Sequence, residues 1–154
     1  MIRLQRILLP TDFSDHAGEA LKYACAFTEQ FAAELHLLHV LETHPSAAPH
    51  FGMGLALAPQ VEESRTEVDQ ALEKLLDPEW ATGRQIVRAT ATGPPFIGIV
   101  RYARQQEIDM IVLGTHGRSG LPHVLMGSVA ERVVRKAPCP VLTVRPEGHQ
   151  FVMP

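Results

Sequence analysis

Hydrophobic positions in this chain fall into two kinds of segment that alternate from one end to the other. Compact apolar runs of strand length stand at Arg6-Ile7-Leu8-Leu9, closed by Pro10, at Glu34 to Leu41, at Gln85 to Ala91, at Met110 to Leu113 and at Val141 to Val144. Between them, apolar residues recur every three or four positions, the repeat that lines one face of a helix. Ser14 offers a side-chain acceptor to start the first such segment, which carries Ala17, Leu21, Ala24, Thr28 and Phe31, widened by Ala20 and Phe27. Val61, Val68, Ala71, Leu72, Leu75 and Leu76 form the stripe of the second, with Glu and Asp on its polar face and its end at Pro78. Gly93-Pro94-Pro95 breaks the third strand, and Pro95 predicts the start of a helix carrying Ile97, Val100 and Ala103. The last helix spans Val129 to Lys136, turns Val129, Val133 and Val134 inward, and stops at Pro138.

Strands separated by helices imply parallel pairing with right-handed crossovers. A sheet covered on both faces needs continuous apolar strands, and three of the runs are of that kind. The predicted fold is therefore α/β, an open doubly wound five-stranded parallel sheet with helices on both faces. The 154 residues suit one domain over 1–154, large enough to bury about two-thirds of the surface its unfolded chain exposes.

Thr43 to Pro59 fits neither kind of segment. It holds three prolines, two glycines and two histidines among scattered Phe51, Met53, Leu55 and Leu57. It reads as a long mobile loop, and both a lid over a site and an ordinary variable insertion stay open. The residues 146–154 read as a tail.

Composition narrows the function classes. A net charge of -3 gives no electrostatic reason to bind nucleic acid or an anionic membrane. The apolar runs are far too short to span a bilayer, and Arg3, Gln5 and Arg6 interrupt any leader-like stretch. Two cysteines, Cys25 and Cys139, argue against a disulfide framework and for a reducing, cytoplasmic setting. Cys139, between two prolines, reads as a packed apolar residue. Arg132, Arg135, Lys136 and Arg145 cluster near one end, where positive charge complements a helix C-terminus, and are not read as a nucleic-acid patch.

Open parallel sheets bind ligands beyond the carboxyl ends of their strands, where the strand order reverses. Three segments fall at such ends: Pro10-Thr11-Asp12, Val40, and Gly114 to Ser128. In the last, glycines let backbone N–H groups come close to an anion, and Gly127-Ser128 sits where the last helix begins. The Ser128 hydroxyl and the Arg118 guanidinium suit phosphate oxygens. The segment lacks the Gly-Lys-Ser/Thr ending of a Walker A loop, and it does not follow the first strand as a dinucleotide fingerprint would. Glycines that only shape a long connection remain the plain alternative, as does Asp12 as a turn residue capping the first helix. His36 and His39, three apart on a strand, point to opposite faces and do not chelate one metal. His116 is a phosphate neighbour or an acid/base group with no partner assignable from sequence.

Gly114, two residues, Gly117, nine residues, then Gly127-Ser128 is a pattern that resembles the ATP-binding branch of the universal stress protein family. The flanking text is similar to that family too: Ile7-Leu8-Leu9-Pro10-Thr11-Asp12-Phe13-Ser14, Asp109 to Gly114, and Ala137-Pro138-Cys139-Pro140-Val141-Leu142. The resemblance implies that Pro10, Thr11 and Asp12 line the adenine and ribose end, that the Val40 backbone reads the adenine edge, and that Leu113 and Gly114 pass beside the ribose. It implies phosphate contacts from Gly117, Arg118, Gly127, Ser128 and Val129, largely through main-chain N–H groups. His123 departs from the basic or polar residue of many relatives. The implied ligand is ATP, with ADP or AMP as alternatives, and Mg2+ carried on the phosphates without protein ligands of its own.

The leading expectation is thus a regulatory nucleotide sensor with a downstream protein partner that the sequence does not name. The alternatives are a slow ATP hydrolase or phosphotransferase drawing on Asp12, His116 or Arg118, and a dimeric scaffold with nucleotide as filler. The final strand, Pro140 to Arg145, comes last in the chain and is expected at a sheet edge. An apolar edge is hazardous unless paired, so a homodimer joined through two copies of this strand is expected.

Overall fold

Every apolar run forms a strand: β1 (Arg6–Pro10), β2 (Glu34–Leu41), β3 (Ile86–Thr92), β4 (Met110–Gly114) and β5 (Val141–Val144). They join in one parallel sheet ordered β3-β2-β1-β4-β5. The helices are α1 (Asp15–Phe31), α2 (Ala58–Lys74), α3 (Pro78–Ala81), α4 (Pro95–Gln105) and α5 (Ser128–Lys136). The computed structural model describes residues 1–42, 58–116 and 126–145, without the side chains of 58–63.

The pleat sorts the strand side chains between two cores. Ile7, Leu9, Leu35, Leu37 and Val112 face α1 and α2, meeting Ala20, Ala24 and Leu72, with Leu76 just beyond the end of α2. Leu8, Leu38, Val40, Ile111 and Leu113 face the other way, onto Ile99 and Ala103 of α4 and Ala130 and Val133 of α5. The sheet is thus doubly wound. β1, β2 and β4 are buried along their middles, while β3 and β5, at the two edges, are mostly half-buried. That difference explains why Arg88, Thr90 and Thr92 are tolerated in β3.

Local chemistry sets the helix ends. Ser14 caps α1 by accepting from the Ala17 N–H at 3.3 Å. Pro95 opens α4. Pro78 does not merely end the preceding segment; α2 has already stopped at Lys74, and Pro78 opens the short α3. Asp77 makes this possible, since its Oδ1 accepts from the N–H groups of Glu79 and Trp80 while proline occupies a position that needs no donor.

Three boundaries and faces differ from the sequence reading. Ala58 and Pro59 belong to α2, so the long loop ends earlier than Pro59, and the rest of it, like the tail, lies outside the described residues. Val134 is 45% exposed, because Ala130 and Val133 set the inner face of α5 and the next position turns away by a quarter of the helix. In α4 the inner stripe is Phe96, Ile99 and Ala103, which leaves Ile97 exposed. No helix among the described residues is long and apolar enough to cross a membrane.

Candidate functional site

The strand order reverses between β1 and β4, because the chain runs outward from β1 through β2 to β3 and then returns to β4 on the other side. A cleft of about 800 Å³ opens there. Pro10, Thr11 and Asp12 line it from β1, Val40 from β2, Leu113 and Gly114 from β4, and Gly127, Ser128 and Val129 from the start of α5. The structure therefore brings together these nine residues singled out from sequence, and His116, raised there as a phosphate neighbour or acid/base group, lines the same cleft. Gly117, Arg118 and His123 lie outside the described residues.

The turn after β1 is held by several hydrogen bonds. The Thr11 N–H donates to the Leu38 carbonyl at 2.8 Å and carries the β1–β2 ladder one residue further. Asp12 Oδ1 accepts from the Ser14 N–H at 3.0 Å and from the Ser14 hydroxyl. Asp12 is thus both the turn residue at the head of α1 and part of the cleft wall. Between them Phe13 adopts φ +62°, with its N–H on Thr11 Oγ1 at 3.0 Å.

Strand alternation orients the Val40 backbone. The Leu38 carbonyl turns toward Thr11 and the Leu41 carbonyl toward Gly93 on the opposite side. Val40 shares the side of Leu38, two residues on, where β1 has already ended at Pro10. Its N–H and C=O are therefore directed over the gap that β1 leaves. The Val40 side chain leaves from the face of the sheet that α4 covers and packs against Gly98, where an added Cβ would stand 2.9 Å from Cγ2.

At the other end of the cleft, α5 begins with glycine as its N-cap, a residue that brings no capping side chain of its own. Its first helical bond runs from the Glu131 N–H to the Gly127 carbonyl at 3.0 Å. The N–H groups of Ser128, Val129 and Ala130 precede it, and these three residues line the cleft. The Gly127 N–H donates to the Thr115 carbonyl at 2.6 Å, fixing this helix start to the end of β4. Free N–H groups and the positive end of the helix dipole favour an anion.

Several contributors were missed from sequence. Ser64, Glu67, Val68 and Ala71 of α2 form one wall, and their spacing of three, four and seven is a signal that a helix face was available. His39 also lines the cleft, as do Pro95 and Ile99 of α4. Buried Thr115 is hydrogen-bonded through Oγ1 to His116 Nδ1 at 2.9 Å, and the His116 ring lies 5.7 Å from that of His16. His36 faces the opposite core, bonded to Tyr102 of α4, so His36 and His39 stand on opposite faces of β2. Among the described residues no three His, Cys, Asp or Glu side chains are grouped as a metal cage.

Residues 3–145 match the model of the universal stress protein family. The chain is 36% identical to universal stress protein MJ0531 of Methanocaldococcus jannaschii over 142 residues, covering 92% of this chain and 82% of that protein. It is 33% identical to universal stress protein MJ0577 of the same organism over 156 residues, covering 94% of this chain and 96% of that protein. A solved structure of MJ0577 superposes with a TM-score of 0.78, at 30% identity, over 96% of this chain and 100% of that one. An Archaeoglobus fulgidus universal stress protein solved in complex with dAMP shares the fold, with a TM-score of 0.61 at 20% identity over 93% of this chain and 98% of that one.

Proposed function

The chain belongs to the universal stress protein family, and from that membership and the form of the cleft we propose that it binds an adenine nucleotide, ATP foremost, as a regulatory protein whose partners respond to occupancy. One observation carries the reading: the Val40 backbone and the first turn of α5 face one cleft from its two ends. Adenine presents an acceptor, N1, beside a donor, the N6 amine. The N–H and C=O of a single residue match that order, whereas guanine reverses it. The α5 N-terminus suits the phosphates, and Asp12 of the cleft wall is assigned to the ribose. The dAMP complex of the Archaeoglobus relative supports a nucleotide ligand for this fold.

ADP and AMP are the alternatives to ATP. The donor set fits Mg2+ held by the phosphates, where it would neutralise their charge, rather than by a cage of side chains. Asp12 Oδ1 accepts from two groups of Ser14, which gives this carboxylate a structural part in the turn, and the sensor reading is taken ahead of the hydrolase. Equilibrium dialysis of nucleotide-stripped protein against ATP tests the reading; retention is expected, and passage of ATP as through a blank contradicts it.

A homodimer through β5 and its flanks, Pro140 to Arg145, and a cytoplasmic setting complete the proposal. The edge position of β5 in the sheet supports the dimer. Sedimentation at micromolar concentration is expected to give twice the chain mass, and a monomer alone would contradict it.

A further inference from the structure

A clamp runs from the sheet to the turn that follows β1. His39 is buried, with 8% of its surface exposed, and its Nδ1 stands 2.8 Å from the Thr11 carbonyl oxygen. A carbonyl only accepts, so Nδ1 carries the ring proton and donates it. The same ring stacks on Phe13, with centroids 4.9 Å apart and planes 26° apart. Phe13 sits at φ +62°, a conformation that bulky residues rarely adopt and that persists only where the surroundings fix it. Thr11 and Phe13 are thus both held by one imidazole from the neighbouring strand, and Asp12 lies between them.

We propose that His39 is a positioning residue for the nucleotide: by donating to Thr11 and stacking on Phe13, it holds the Thr11-Asp12-Phe13 turn in the form that receives the ligand. The proposal rests on the adenine-nucleotide reading of the cleft. Burying an imidazole costs free energy unless its polar atoms are satisfied, and the Thr11 carbonyl supplies that partner. Loss of the donor leaves the buried Thr11 carbonyl unsatisfied and frees the turn to relax from the strained Phe13 geometry. His39 acts through this turn and needs no contact with the ligand.

The chemistry of the variants separates this role from simple packing. His39→Asn places an amide N–H where Nδ1 stood, whereas His39→Leu fills space without a donor. ATP affinity by calorimetry and amide hydrogen exchange at Phe13 and Ser14 are measured on both and on the unaltered chain. The expected result is about tenfold weaker ATP binding and faster exchange for His39→Leu, with His39→Asn within about threefold of the unaltered protein. Should His39→Leu not fold, His39→Gln, whose amide reaches the Nε2 position instead, takes its place with the same expectation. ATP binding by His39→Leu as tight as by the unaltered chain, or by His39→Asn as weak as by His39→Leu, would overturn the proposal alone. Failure of the unaltered chain to bind ATP would overturn the reading of the cleft and this proposal with it.

Discussion

The carbonyl oxygen of His16, in the first turn of α1, stands 2.8 Å from the point where a Cβ on Gly114 would lie. The end of β4 and the start of α1 therefore meet backbone to backbone, and only glycine permits it. Gly114→Ala sets a methyl group against a main-chain atom that cannot rotate away. Overpacking of this kind costs about 1–3 kcal/mol, so the urea midpoint is expected to fall accordingly. An unchanged midpoint would mean that α1 shifts freely.

Gly98 presents the gentler version of the same contact. A Cβ there would meet Val40 Cγ2 at 2.9 Å and Cγ1 at 3.0 Å, which are side-chain atoms. Alanine gains about 1 kcal/mol of helix propensity in α4, which offsets much of the crowding. Gly98→Ala is expected to change stability by under about 1 kcal/mol while weakening ATP, because Val40 is displaced. Val40→Ala in the same chain should relieve the clash, and a double-mutant cycle reads the coupling. Additive effects would show that the two residues do not press on each other.

Cys25 is a poor nucleophile. Burial, reinforced by the nearby Glu29 carboxylate, pushes its thiol up to about 11. At pH 8 only about one thiol in a thousand is then ionised. In a Cys139→Ser background, reaction with a disulfide reagent at pH 8 is expected to be slow in the native protein and at least tenfold faster in guanidinium. Equal rates in the two conditions would contradict the burial.

Stability should fall in mild acid through His36. Its Nε2 meets Glu34 at 2.6 Å and its Nδ1 meets the Tyr102 hydroxyl at 2.8 Å. Burial lowers its pKa below the ordinary imidazole value, outweighing Glu34, which raises it. The unfolded chain therefore binds more protons just below the ordinary value of 6.5. Native stability is complete above that value and declines as pH falls through the window beneath it. Urea midpoints at neutral pH and in mild acid are expected to differ less in His36→Asn than in the unaltered chain. An equal or larger difference in the variant would place the acid sensitivity elsewhere.

Hydrophobic patterning made the strands, their order along the chain and the doubly wound sheet legible, because a strand buried on both faces is mostly apolar and admits a polar residue only where it finds a partner, as His36 and His39 do in β2. The edges were blurred for the converse reason: β3 and β5 are only half-buried, so Arg88 and Thr90 dilute the pattern. α3 was hidden because Pro78 reads as a stop unless the Asp77 cap is weighed with it. Within the cleft, Asp12, Val40 and the Gly127-Ser128 helix start could be placed from topology. The contacts that hold them could not. His39 and Thr11 lie 28 residues apart, and no spacing rule joins a strand histidine to a turn carbonyl. The φ of +62° at Phe13 leaves no mark in sequence, since glycine, not phenylalanine, signals such a turn.

Titration calorimetry of nucleotide-stripped protein with ATP and with GTP, repeated on Gly127→Val, tests the central claim most directly. Gly127 caps α5 at the cleft, so a branched side chain there is expected to intrude on the N–H groups offered to phosphate. The expected result is micromolar ATP binding, GTP at least tenfold weaker because its base edge is reversed against Val40, and loss of ATP binding in the variant. No ATP binding by the unaltered protein, or binding untouched by Gly127→Val, would contradict the account.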